Sequence, residues 1–268
     1  MSRQLTVLAS AGAALVALAA CSPAAEPVEP SQSGEGNTTA TARASTVEGV
    51  SVEEETDLFS YKFAYPAEVS AIPTLAREIE SRADKIKLEM RSDARSDRTA
   101  AADGGFPFRQ HSLSAEWKVV ADLPDWLSLT NEFATYTGGA HGNYGVTSLV
   151  WDKPAGQAME GVEMFTSPGA LTEAVAETYC PALDRQRQQK NGMAPDPTGT
   201  FGQCPGVSEL TISPGSSNGR TFDRVGVYAG PYVAGSYAEG SYEVTLPVDA
   251  KIFAAVKPEF RDAFSSAR

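Results

Sequence analysis

The sequence predicts an α+β fold: an antiparallel sheet packed by helices, arranged as two small subdomains. Three observations carry that reading. Phe59, Tyr61, Phe63 and Tyr65 alternate with small or polar residues, the period of a strand with one buried face. Ile72, Leu75, Ile79, Ala83, Ile86 and Met90 then recur at spacings of three and four, which places them on one face of a long helix. Three further strand-like runs follow with only short connections, and short connections join strands antiparallel. A helix laid across such a sheet buries the apolar faces of both.

Each element has a local reason. The aromatic strand stops at Pro66. The helix after it has Pro73 in its first turn, where a backbone N–H is not needed, and Ser70 as the expected N-cap. Arg77, Glu78, Lys85 and Lys87 fall on the outer face, and the polar run Ser92 to Asp103 is expected to end the helix before Gly104-Gly105. Leu113, Ala115, Trp117, Val119 and Ala121 alternate with Ser114, Glu116 and Lys118, a half-buried strand. Pro124-Asp125 turns the chain into strands over Trp126 to Tyr136 and Tyr144 to Trp151. Asp152 to Met164 reads as a connection, so the two regions are expected to be 59–155 and 156–268. In the second, Leu171, Val175, Thr178 and Leu183 mark a helix ending near Gly192. Short strands are expected over Val207 to Ile212, Phe222 to Ala229 and Ser241 to Leu246. Asp249 can cap a short helix with Ile252, Phe253 and Val256 inward, and Pro258 starts a last turn.

Composition narrows the function. The chain has 268 residues, a formal charge of −12 and 42% hydrophobic residues, which excludes collagen, a wholly disordered chain and a multi-span membrane protein. No Lys/Arg run is present, so nucleic acid is not an expected partner. Arg3 is the only charge before Glu26, and the apolar run Leu5 to Ala20 suits a secretory signal. It ends in Leu18-Ala19-Ala20-Cys21, which resembles the lipobox of a bacterial lipoprotein. That resemblance makes 1–20 a signal peptide and Cys21 the lipidated first residue, held in the membrane by several acyl chains. The plainer alternative is an ordinary signal peptide with a chance cysteine. Ser22 in place of Asp resembles the outer-membrane sorting pattern, so the expected address is the periplasmic side of the outer membrane. Residues 21–58 hold no aromatic and read as a disordered tether.

With Cys21 assigned to lipid, Cys180 and Cys204 are an even pair in an oxidising compartment, which favours a disulfide. Zinc is the weaker reading, because His111 and His141 are not in metal-ligand spacing with them. No metal or cofactor is expected, and no P-loop or dinucleotide fingerprint occurs. Gly215-Ser216-Ser217-Asn218-Gly219 matches G-x-S-x-G, but Pro214 precedes it, a strand-like run follows, and no His comes after Ser217. It reads as a polar hairpin loop.

The loop Thr137-Gly138-Gly139-Ala140-His141-Gly142 is the most distinctive stretch, with glycines that permit left-handed backbone and close approach. Tyr136 through Gly142 resembles the Tyr-x-Gly-Gly-Ala-His-Gly motif of the paired DUF4163 and DUF3298 regions of bacterial envelope proteins. The first region is also called the PdaC domain, after a peptidoglycan deacetylase that carries it. The strand Phe59 to Pro66 with its helix resembles the start of the first region. Tyr228 to Pro247, with Pro231-Tyr232-Val233-Ala234-Gly235, resembles the end of the second. Together they resemble the extracellular part of the anti-sigma factor RsiV, which binds lysozyme. The sequence shows neither a sigma-binding segment nor the metal motif of a deacetylase, so neither activity is implied.

The resemblance implies a lipid-anchored envelope binding module without catalytic activity of its own. Its expected ligand is a lysozyme-like hydrolase or peptidoglycan, and an acidic body would attract a cationic partner. The expected contact residues are Tyr136, Gly138, Gly139, His141, Gly142, Tyr232 and Tyr237. No acid in the loop is placed to orient His141, so its expected role is to bond a backbone carbonyl near the turn. The alternative function is an enzyme acting on cell-wall glycan through paired carboxylates. A structural lipoprotein with no specific ligand is the third reading.

Overall fold

The computed structural model describes residues 47–267. The expected signal peptide, Cys21 and most of the expected tether lie outside the described residues. The last part of that tether is corrected: Val50–Glu55 is a strand, β1. It pairs antiparallel with β2, Phe59–Tyr65. Thr56 closes the hairpin, its Oγ1 accepting from the backbone N–H of Leu58 and Phe59 at 3.2 and 3.0 Å. Val-Ser-Val-Glu-Glu-Glu carries no aromatic signal, so as an acidic edge strand it looks like linker in sequence.

A short helix α1, Ala67–Ser70, precedes α2, Pro73–Gly104. Ile72 is the N-cap of α2 and Ser70 ends α1, so the expected Ser70 cap is corrected. The helix also runs through Ser92 to Asp103. That stretch is rich in Ala and Arg, both good helix formers. It buries Ala94 and Ala101, and Arg98 Nη1 donates to Asp57 at 2.6 Å. Gly105, at φ +68°, ends the helix with a left-handed cap. Leu75, Ile79 and Met90 are buried as the spacing requires, while Ile86 is 49% exposed although Met90, Ala94 and Ala101 beyond it are buried.

Strand β3, His111–Asp122, pairs parallel with β2, so α2 is the crossover between them. The rest is a meander: β4, Trp126–Tyr136, then β5, Asn143–Asp152, then β6, Gln157–Met159, each antiparallel to its predecessor. The six strands lie in sequence order, and β6 places the expected boundary near residue 155 inside a hairpin. In the second half come α3, Pro168–Asn191, then β7, Thr211–Gly215, β8, Arg224–Ala229, and β9, Tyr242–Pro247, which form a three-stranded antiparallel sheet. Helix α4 is Ala250–Ala255, capped by Asp249, and a 3-10 turn covers Pro258–Ala263. The strand expected at Val207 is corrected: Val207–Glu209 is a 3-10 turn, and the strand begins at Thr211.

Two cores result. In the first, α2 covers one face of the large sheet through Phe59, Tyr61, Leu75, Ile79, Trp117 and Leu129. The second is built from α3, α4 and the small sheet around Tyr179, Phe222 and Val227, and it also takes Ala121, Leu123 and Val150 from the large sheet. Trp117 and Ala121 would face the same way in a regular strand. A register shift between Val119 and Ala121 turns Ala121 to the opposite face, where the second core receives it. The second half therefore packs on one end of the sheet face that α2 leaves bare.

Candidate functional site

The part of that face left open is a groove of about 630 Å³. Strand alternation supplies its floor, with Ser114, Glu132 and Tyr144 on the side opposite Leu129, Leu149 and Trp151. The second half supplies a wall of Tyr228, Ser241 and Glu243. Lys118 Nζ donates to Glu132 at 2.7 Å and lies 3.5 Å from Glu116; the Glu132 bond holds the ammonium above its ordinary value. Burial pushes the Tyr228 phenol up. A second hollow of about 420 Å³ continues past Tyr144 towards Tyr136, Gly142 and Tyr237.

At the mouth of this hollow the structure brings together Tyr136, Gly139, His141, Gly142, Tyr232 and Tyr237. Tyr136 Oη donates to the Gly139 carbonyl at 3.0 Å and closes the loop on itself. His141 Nδ1 donates to the Gly142 carbonyl at 2.8 Å. That bond fixes the tautomer and leaves Nε2 to accept from Tyr232 Oη at 3.4 Å. The His141 ring lies on Tyr237, centroids 3.9 Å apart, and Tyr237 meets Tyr144 edge-on at 5.8 Å. A Cβ on Gly142 would meet the Thr135 carbonyl oxygen at 2.6 Å, so glycine lets the strand end turn back on its neighbour. Gly138, at φ +87°, faces Arg109 on the far side of the loop and stands apart from the aromatic group.

Tyr232 is the only non-glycine with positive φ among the described residues, at +65°. A left-handed tyrosine costs on the order of 1–2 kcal/mol, so its neighbours must hold it there. Arg187, buried on α3, donates from Nε to the Ala234 carbonyl at 2.8 Å and from Nη2 to the Gln203 carbonyl at 3.0 Å. Glu239 accepts from Asn191 Nδ2 at 2.8 Å, Tyr242 Oη at 2.6 Å and the Ser236 N–H at 2.9 Å. Those bonds, the Asn191 and Tyr242 ones foremost, hold its carboxyl down at about 2. Cys180 and Cys204 are disulfide-bonded, Cα atoms 5.6 Å apart, and tie α3 to the segment that carries Gln203.

Sequence reasoning named Tyr136, His141, Tyr232 and Tyr237 but passed over Tyr144, Glu132 and Glu243. Strand parity held the missing signal for Tyr144: it lies an odd number of residues from buried Leu149 and so faces the other way. Ser217 of the G-x-S-x-G stretch lies in the β7–β8 loop with its Oγ donating to Asp223 at 2.6 Å. Among the described residues no three His, Cys, Asp or Glu side chains stand together as a set able to hold a metal ion.

The stretch from β1 to the first residues of β5 can be set against known families. Residues 52–144 match the family model described as Deacetylase PdaC. The PdaC match begins inside β1, in agreement with that strand's place in the sheet, and ends just past the glycine loop. No curated relative matches the chain. Among the solved structures that are similar, two are DUF3298 family proteins. A DUF3298 family protein from Pseudomonas aeruginosa has a TM-score of 0.46 and 16% identity, over 82% of this chain and 96% of its own. A DUF3298 family member from Bacteroides fragilis has a TM-score of 0.44 and 18% identity, over 75% and 89% respectively.

Proposed function

We propose that this protein is an envelope binding module, anchored by lipid at Cys21, whose ligand contacts the His141–Tyr232–Tyr237 patch. The observation that carries the reading is the convergence of two loops, 136–142 and 231–237, on one aromatic group with Tyr232 held left-handed and 56% exposed. Rigid, amphipathic tyrosines contact a partner at low entropy cost. Backbone strain kept at an exposed position is a common mark of a functional site. The net charge of −12 favours a cationic partner, and the resemblance to RsiV nominates a lysozyme-like hydrolase, with peptidoglycan as the other candidate.

The test is a photo-crosslinking aromatic amino acid at position 232 of the full-length protein in cells. A discrete crosslinked partner, lost with His141→Ala, supports the module. Labelling no greater than that from a crosslinker at exposed Leu88 overturns it. Calorimetry with lysozyme at low and high salt decides that candidate, since steering weakens as the screening length falls to about 8 Å. Fatty-acid labelling lost in Cys21→Ser checks the anchor.

A second reading, an enzyme on cell-wall glycan, draws on Glu116, Glu132 and Glu243 lining one groove, since carboxylate pairs can act as general acid and base. Peptidoglycan turnover abolished by Glu132→Gln or Glu243→Gln would displace the first reading.

A further inference from the structure

Resting on the binding-module reading, we infer that the smaller hollow is a saccharide subsite for a pyranose ring that carries a carboxylate. Three features of the lining point to this ligand class. The first is aromatic: Tyr136, Tyr144 and Tyr237 line the hollow. His141 packs against Tyr237 and does not line the hollow, so Tyr237 offers the hollow its other face or its edge. The C–H face of a sugar ring packs on such an apolar ring surface while its hydroxyls point sideways.

The second feature lies beside these tyrosines on the same sheet face, where β2 and β3 present Ser60, Ser112 and Ser114, with Ser112 the cross-strand partner of Tyr136. In strand alternation these serines share the face that Phe59, Tyr61 and Leu113 turn away from. Their hydroxyls can each donate and accept, which matches the vicinal hydroxyls of a sugar. A volume of about 420 Å³ admits one or two pyranose rings.

The third feature is charge. In a protein with 34 acidic residues the one charged side chain that lines this hollow is a cation, Lys62. Glu53 lies 3.2 Å from its Nζ, and the side chain stays 60% exposed, so two of its three N–H groups remain for a ligand. The four carboxylates Glu53, Glu116, Glu132 and Glu243 line the adjoining groove, and Lys62 stands at the border, lining both. A ring with one carboxylate fits the cationic end, and a neutral ring lacks that partner.

Calorimetry of the full-length protein with trigalacturonic acid and with neutral galactotriose tests the assignment. The acidic trimer is expected to bind at least about fivefold more tightly, with Lys62→Gln removing the preference. Tyr144→Ala and Ser114→Gln are expected to weaken binding about tenfold or more. The serine variant fills the hollow from β3 and removes none of the tyrosines, and melting curves confirm that each variant is folded. Absence of binding by either trimer at millimolar concentration overturns the inference, as does equal binding of the two. A crosslinked protein partner at position 232 alongside such a negative result would leave the module standing and remove only the saccharide. Loss of both would remove both.

Discussion

His141 lies flat against Tyr237, with an interplanar angle of 26°. The two residues come from opposite halves of the chain, one from the loop after β4 and the other from a 3-10 turn before β9. Their stack closes the aromatic group, and its contribution can be measured. An aromatic pair is worth about 0.5–1.5 kcal/mol. The exposed His141→Ala variant should therefore lose no more than about 1.5 kcal/mol in urea denaturation, with its m-value unchanged.

Gly142→Ala should do more harm than His141→Ala despite the smaller change. Its Cβ would stand 2.6 Å from the Thr135 carbonyl, a backbone atom that cannot swing aside. Expected outcomes are a lower melting temperature and faster proteolysis within 137–142. Equal stability of the two variants would contradict the packing described.

Reduction of the disulfide should be costly. The bridge joins residues 24 apart, and the chain-entropy model gives about 3 kcal/mol for a loop of that size. Denaturation with and without reductant reads this directly. Crosslinking or binding at Tyr232 should weaken as well, because the bonded segment carries the Gln203 carbonyl that Arg187 grips.

Acid should unpin the same loop. The folded-state value of Glu239 is held near 2, below its ordinary 4.5. A depressed carboxylate stabilises the fold above its ordinary range, and that stability is lost as pH falls towards the folded value. Unfolding free energy should drop between about pH 5 and pH 2, and Glu239→Gln should flatten that part of the profile. A profile unchanged by the substitution would show that the bonds from Asn191 and Tyr242 carry no linkage.

Removing β1 should destabilise the sheet. A chain starting at Phe59 leaves β2 without its antiparallel partner and uncovers Tyr61 and Phe63 along an edge. Such a chain should associate in size-exclusion chromatography, whereas one starting near Ser45 should stay monodisperse.

These points show which parts of the structure were legible in sequence. Period-2 patterns placed β2 and β3 within a residue or two, and the Pro124-Asp125 turn placed β4 and β5 after them, although both faces of β4 and β5 are buried where the second core meets the sheet. Asp249 and Gly192 marked their helix ends through capping chemistry that is local. Strand β1 and the last three turns of α2 escaped for the opposite reason: their stability comes from partners far along the chain. Glu54 and Glu55 carry no apolar pattern, and Arg98 is secured by Asp57. At the site, the glycine loop announced His141. Nothing local to Glu132 or Glu243 could reveal the groove, which exists only where the two cores leave one sheet face half covered.

The parallel pairing of β2 with β3 also sets an order of events for a chain that emerges N-terminus first. The β1–β2 hairpin is complete by Tyr65, yet its sheet partner begins only at His111. At about 5–20 residues per second, several seconds pass in which Phe59, Tyr61, Phe63 and Tyr65 have no finished sheet around them. The intervening α2 is what arrives in that interval, and its Leu75 and Ile79 belong to the same core. A variant with glycines set into the first three turns of this crossover should therefore show its damage in yield and chaperone dependence before it shows it in the melting temperature of whatever folds.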